Sequence, residues 1–255
     1  FEQEHLDDEA FPASPASLSE PDFQLNDLQL AALDKLAPRV DDPSFSVTLV
    51  HGVTGSGKTE IYLRLIRRAV QAGRAVLVLI PEIALTTQAV DRYRRRLGSA
   101  SVAVIHSGLS DTRRHLAWRR IARGEFQVVL GTLSAVFAPA PRLGLIIVDE
   151  EQESSFKHLK SPRFNARDVA IKRGQGLGIP VVLGSATPSL ESFYNARRLN
   201  RYDYIELPRR VADIPLPKVR VVDMHKESHA RKGVHCLSRL LEQQIELAVK
   251  AGRQV

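Results

Sequence analysis

The sequence has 255 residues, 44% of them hydrophobic and 25% charged, enough to bury a sizeable core, and no stretch approaches the ~18 unbroken apolar residues that a membrane span needs. Its first residues are acidic and lack an apolar run, so no signal peptide is expected and the expected compartment is the cytoplasm. The single cysteine, Cys236, excludes an intrachain disulfide and cannot build a zinc site by itself.

Residues 1–22 carry seven acidic side chains and no Lys or Arg, together with Pro, Ser and Ala and no apolar periodicity. They are read as an acidic flexible arm or linker. The remaining residues hold 36 basic against 22 acidic side chains, a net of +14. Such an excess favours a polyanionic partner through phosphate neutralisation, although a well-solvated surface would show the same charge.

From Phe23 onward, short β-branched runs alternate with amphipathic stretches. Strands are expected at 46–52, 75–81, 102–107, 127–132, 143–150 and 180–186, with helical patterns at 59–73, 85–98, 111–124 and 166–178. Near-continuous apolar strands separated by helices predict an α/β fold, a mostly parallel sheet with helices on both faces. Ligands of such sheets bind outside the carboxyl ends of the strands. After Leu207 the pattern loosens into a proline-containing connector and a last helix near 237–252, so a main lobe over 23–208 and a connector with helix over 209–255 are expected. Trp118 and Tyr62 fall in amphipathic helices and are read as packing.

Three segments carry chemistry. GVTGSGKT, Gly52 to Thr59, follows a strand and opens a helix, as a phosphate-binding P-loop requires. The backbone of Gly52, Thr54, Gly55, Ser56 and Gly57 would turn N–H groups toward phosphate oxygens, Lys58 would reach the β and γ phosphates, and Thr59 would offer its hydroxyl to Mg²⁺. The strand LGLIIVD ends in Asp149, Glu150, Glu151 and Gln152. Carboxylates at a buried strand end are costly to desolvate unless a cation meets them; Asp149 would hold Mg²⁺ and Glu150 would orient or deprotonate the attacking water. Capping of a following helix is the plainer alternative. GSATPS, Gly184 to Ser189, follows another strand; Ser185, Ala186 and Thr187 could report the state of the γ phosphate, or could simply form a turn and helix cap.

In this order the three segments resemble the P-loop, acidic box and SAT motif in the first RecA-like lobe of superfamily-2 helicases. PEIALTTQ and GTLSAVF are similar to that superfamily's motifs Ia and Ib, which implies nucleic-acid backbone contacts at Thr86 and Thr132. FQLNDLQ is similar to its adenine-recognising Q motif, which implies that role for Gln29. Over residues 23–255 the combination with HSGLS, DEEQESSFK and PRFNARDVA is most similar to the primosomal replication-restart helicases. ATP and Mg²⁺, 3′-to-5′ movement on single-stranded or forked DNA, and other replication-restart proteins as partners are what that resemblance implies. It also implies a second lobe with an arginine finger and a zinc-binding cysteine cluster, outside the sequence given. The segment 153–170 lies where this family carries an aromatic-rich loop that couples DNA to hydrolysis. Phe156, His158 and Phe164 would stack on bases, and Arg163 among the interleaved cations would follow phosphates. Where the family usually has His, this chain has Gln152, which hydrogen-bonds both ways but takes no proton. Two other functions stay open: an ATP-gated DNA-binding module with little catalysis, and a small-molecule P-loop enzyme such as a kinase. GSATPS, the aromatic segment and the +14 body charge disfavour the kinase.

Overall fold

The structure is a computed structural model and describes residues 23–97, 101–211, 219–231 and 235–253; the acidic arm read at 1–22 lies outside them. Nine short strands and eight α-helices are described. In chain order they are α1 (Asp27–Asp41), β1 (Ser46–Gly52), α2 (Lys58–Gln71), β2 (Ala75–Leu79), α3 (Thr87–Leu97), β3 (Val102–Ile105), α4 (Asp111–Ala122), β4 (Val128–Gly131) and β5 (Leu143–Asp149). There follow β6 (Lys157–His158), β7 (Phe164–Asn165), α5 (Ala166–Leu177), β8 (Pro180–Ser185), α6 (Leu190–Arg197), β9 (Asp203–Leu207), α7 (Met224–Arg231) and α8 (Arg239–Lys250). Short 3₁₀ turns cover Glu82–Ala84, Leu133–Phe137 and Ser154–Phe156.

Seven strands form one sheet in the order β3-β4-β2-β5-β8-β1-β9, every pair parallel. The continuous apolar runs follow from burial on both faces. Along β2, Val76 and Val78 face one core and Leu77 and Leu79 the other; along β5, Leu145 and Ile147 alternate in the same way with Ile146 and Val148. One face is covered by α1, α2 and α3 through Leu36, Ile61, Leu65 and Tyr93. The other is covered by α4, α5 and α6 through Ile121, Ala166, Ala170 and Ala196. Each fully buried Leu, Ile or Val contributes about 1.5–3 kcal/mol, and both layers are lined with them.

The strand order makes β5, β8 and β1 neighbours, so the P-loop after β1, the acidic box after β5 and the GSATPS turn after β8 emerge side by side. In register, Asp149 and Val50 both pair with Gly184. The α/β architecture agrees with the expectation. Contacts divide the chain into 1–214 and 215–255, beside an expected boundary at 208, and Val211 N–H donates to Gly55 O at 3.0 Å. In the second unit, Glu227 of α7 accepts from the backbone N–H of Arg239, at the start of α8, at 3.2 Å. Among the described residues no helix is long and apolar enough to cross a membrane.

Candidate functional site

A cavity of about 720 Å³ opens over the ends of β1 and β5, lined by Gln29, Thr54, Gly55, Ser56, Gly57, Lys58, Thr59, Asp149 and Glu150 among others. Its floor is the P-loop. Gly57 has φ +83°, a conformation that costs an L side chain, and a Cβ there would lie 2.1 Å from Gln29 Nε2. Gly57 also occupies the N-cap of α2 without a side-chain cap, and the N–H groups of Gly55, Gly57, Lys58 and Thr59 meet no backbone acceptor. Ser56 Oγ is buried and has no hydrogen-bond partner. A row of free donors at a helix N-terminus beside an unpartnered hydroxyl fits an anionic phosphate chain.

Gln29 reaches this loop through the start of α1. Asn26 caps the helix and Gln29 returns the bond, Oε1 accepting from Asn26 N–H at 2.9 Å, while Nε2 donates to Ser56 O at 2.9 Å. Gln29 thus braces the P-loop from the side and lines the cavity. Lys58 Nζ donates to Gly52 O at 2.8 Å and lies 4.0 Å from Glu150 Oε1, and its side chain is almost entirely enclosed. Its charge sits between loop and acidic box, where a phosphate would be.

Asp149 ends β5 with its carboxylate enclosed. Tyr62 Oη donates to its Oδ1 at 3.2 Å, as does Glu150 N–H at 3.2 Å. That approach needs Gly184, because a Cβ there would lie 1.6 Å from Tyr62 Oη. Tyr62 therefore packs, as expected, and also touches the acidic box. Burial first, and the Glu150 charge second, raise the Asp149 pKa from 3.8 to about 6, against Lys58 and the two donors, which favour the charged form. A divalent cation would reverse that balance, so a desolvated carboxylate lining the same cavity as Thr59 fits Mg²⁺.

The sign of the resulting pH effect follows from the raised value. Between pH ~4 and ~6 the folded chain holds this proton more tightly than the unfolded chain, so its contribution to stability falls as pH rises through that window and stays lost above it. The full penalty is roughly 3 kcal/mol. Asp149→Asn is expected to raise the melting temperature at pH 8 by several degrees, and by about half as much at pH 5, in scanning calorimetry without Mg²⁺. No stabilisation at pH 8, or an equal one at both values, contradicts this electrostatic origin.

Glu150 has φ +49°, a left-handed backbone unusual for a non-glycine residue and one that costs of order 1 kcal/mol or more. The kink turns its carboxylate toward Lys58. From it a hydrogen-bond chain runs across to β8: Gln152 Nε2 donates to Glu150 Oε2 at 3.0 Å, Ser185 Oγ donates to Gln152 Oε1 at 2.6 Å, and Thr187 N–H donates to Ser185 Oγ at 2.9 Å. Gln152 serves both neighbours at once. Being a glutamine, it does so without titrating. Ala186 lies between the two chain members and contributes only backbone.

The residues expected to meet nucleic acid divide. Phe156 is corrected: its ring is 1% exposed and belongs to the core, so it has no free face for a base. Thr132 is buried just after β4, where its backbone N–H donates to Ile105 O at 3.1 Å. Thr86 is exposed, its hydroxyl accepting from Ala89 N–H at 3.2 Å. His158 and Phe164 face each other across the β6–β7 ribbon with ring centroids 5.1 Å apart, and Arg163, Lys157 and Lys160 beside them are exposed. The third ring of this cluster is Phe137, 48% exposed, edge-on to Phe164 at 5.1 Å. Sequence reasoning passed over it, although an aromatic closing GTLSAVF was a visible signal. It also passed over Glu151 and Arg167, which form a buried ion pair at 3.1 Å behind the acidic box.

A family model described as DEAD/DEAH box helicase matches residues 26–195, two thirds of the chain. The Replication restart protein PriA of Bacillus subtilis (strain 168) is 48% identical over 203 residues, covering 80% of this chain and 25% of that protein. Its namesake in Synechocystis sp. is 51% identical over 183 residues, covering 70% and 22%, and that of Chlamydia trachomatis serovar D is 40% identical over 231 residues, covering 90% and 30%. The chain thus spans about a quarter of the length of these curated relatives. Among solved structures, RecG bound to a three-way DNA junction aligns with TM-score 0.50 at 22% identity, over 81% of this chain and 26% of that one. The Pyrococcus furiosus Hef helicase domain aligns with TM-score 0.50 at 19% identity, over 78% and 44%. At these identities they speak for the fold, which is that of a helicase RecA-like lobe. With its P-loop, acidic box and GSATPS turn gathered at three adjacent strand ends, the chain belongs to the DEAD/DEAH box helicase family.

Proposed function

We propose that this lobe is the nucleotide-binding half of an ATP-dependent 3′-to-5′ DNA helicase acting in replication restart, as the similarity to PriA suggests. The observation that carries the reading is the chain Glu150–Gln152–Ser185–Thr187. A protein that only binds nucleotide has no use for a link from its acidic box to a neighbouring strand end, whereas a motor must signal the state of its phosphates. The same link disfavours an ATP-gated DNA binder without catalysis.

Bound ATP with Mg²⁺ supplies the phosphoryl group to be transferred and a cation at the acidic box. Lys58 and the P-loop N–H groups hold the phosphate chain, Thr59 and Asp149 hold the cation, and the base falls to Gln29 by the likeness of FQLNDLQ to the Q motif. Glu150, fixed by Gln152, orients the attacking water and takes its proton. Phe137, Phe164 and His158 offer ring faces to unpaired bases, with Arg163, Lys157, Lys160 and Thr86 toward the backbone. A cytoplasmic setting, other replication-restart proteins as partners, and zinc held by residues beyond these 255 belong to the same reading.

Binding of fluorescent oligo-dT by the purified chain tests the DNA surface. Phe164→Ala and Phe137→Ala are each expected to lose about 1–3 kcal/mol of affinity, while Arg163→Ala flattens the salt dependence by about one unit of slope. Ring variants that bind normally but melt early would show that these rings serve packing alone.

A further inference from the structure

Glu151 sits between the two residues that work on the nucleotide, Glu150 and Gln152, yet points away from the cavity and is fully buried. Its Oε1 accepts from Ser189 N–H at 2.7 Å. Its Oε2 accepts from Ser189 Oγ at 3.0 Å, Ser192 Oγ at 2.9 Å and Arg167 Nη1 at 3.1 Å. Arg167 Nη1 also donates to Ser189 Oγ at 2.7 Å and its Nε to Asp168 at 2.8 Å. A carboxylate with this many donors cannot swing without breaking several bonds at once in a site closed to water.

Arg167 is the second residue of α5. The cap of that helix, Asn165, is the neighbour of Phe164 and accepts from Arg167 N–H at 2.9 Å. Six residues on, about 9 Å along the axis, Arg173 Nη1 donates to Val136 O and Nη2 to Ala138 O, both at 2.7 Å. Those two carbonyls flank Phe137, the exposed ring that packs on Phe164. The helix lies close on the sheet, where a Cβ at Gly174 would come 2.3 Å from Val181 Cγ2. One rigid element thus grips the aromatic surface at Arg173 and Asn165 and the back of the acidic box at Arg167.

We propose that α5 is a strut, with the Glu151–Arg167 pair as its positioning contact, through which a base stacked on Phe137 and Phe164 sets the placement of Glu150. A buried ion pair is a poor source of stability, since well-packed apolar residues serve as well or better. Its directional bonds fix the orientation of the Glu151 carboxylate, which apolar packing alone would leave unspecified. Arg167 and Arg173 touch neither nucleotide nor DNA; they act through Glu151 and Phe137. The inference rests on the reading of the lobe as part of a DNA-stimulated ATPase.

The test measures phosphate release by the full-length protein with and without oligo-dT, alongside ATP and DNA dissociation constants and melting temperature. Arg167→Lys keeps the charge but loses the fork that serves Glu151, Ser189 and Asp168 together. Arg173→Lys loosens the opposite end, so it decides the matter if Arg167→Lys does not fold. Each variant is expected to bind ATP and oligo-dT within about twofold of the parent, with KM for ATP unchanged and DNA-stimulated kcat at least tenfold lower. Full stimulation in both folded variants overturns the strut, as does a loss that merely tracks weaker DNA binding or a lower melting temperature. A parent protein that DNA does not stimulate overturns the functional reading, and the strut falls with it.

Discussion

Lys58→Ala is expected to weaken Mg²⁺–ATP binding by at least about 100-fold while leaving the fold intact. In this structure the ammonium makes one hydrogen bond, to Gly52 O, and lies 4.0 Å from Glu150. Charge-assisted hydrogen bonds contribute about 1.5–3 kcal/mol each, and two phosphate groups would share this donor. The loss of roughly 3 kcal/mol is about a 150-fold change in dissociation constant. The folded chain without nucleotide has less to lose. Removing a buried cation relieves its desolvation, which offsets the poorer company left for Asp149 and Glu150, so the melting temperature is expected to stay within a few degrees. Titration calorimetry of both proteins with ATP and Mg²⁺ checks the first expectation, and scanning calorimetry the second. Unchanged affinity would remove the P-loop from the nucleotide site.

The interior of the sheet could be read from the sequence because burial on both faces leaves no polar positions to confuse the pattern. The runs at 46–52, 75–81 and 143–150 became β1, β2 and β5 with ends shifted by at most two residues. The edge strand β9, Asp203–Leu207, escaped notice because it is short and the exposed Asp203 and Glu206 break up the apolar run around the buried Ile205 and Leu207. The helix α1 was missed too, although Asn26 with Gln29 three residues on is a capping signature. The P-loop was legible because its residues are consecutive, and the loop works as a local backbone shape.

Side-chain direction was not legible where the chain leaves regular structure. Phe156, Phe164 and His158 occupy one polar segment, and composition alone cannot tell that the 3₁₀ turn at Ser154–Phe156 sends Phe156 inward. Glu151 looked like one more acid in a run of three. Its separate role depends on Glu150 adopting φ +49°, which turns the next residue toward α5, and on Arg167 arriving from 16 residues away. Gln152 was marked as a departure from the family pattern, but its two-sided bonding became visible only when β5 and β8 were placed side by side.

These 255 residues supply, on the proposed function, one wall of a nucleotide site whose other wall carries an arginine finger. Such a finger is worth about 10³–10⁵ in rate. Lys58, Asp149 and Glu150 can hold the phosphates and cation and position a water, but the arginine finger that would meet charge developing on the transferred group belongs to the other wall. DNA stimulates hydrolysis by closing the two walls, and one wall cannot close. The decisive measurement is steady-state phosphate release by the purified 255-residue chain, with and without oligo-dT, using Glu150→Gln to subtract contaminating activity. Turnover indistinguishable from that of Glu150→Gln, with DNA making no difference, is the predicted result. Robust release that Glu150→Gln abolishes would contradict it, because the chain would then hold a complete active site or build one by pairing with a second copy.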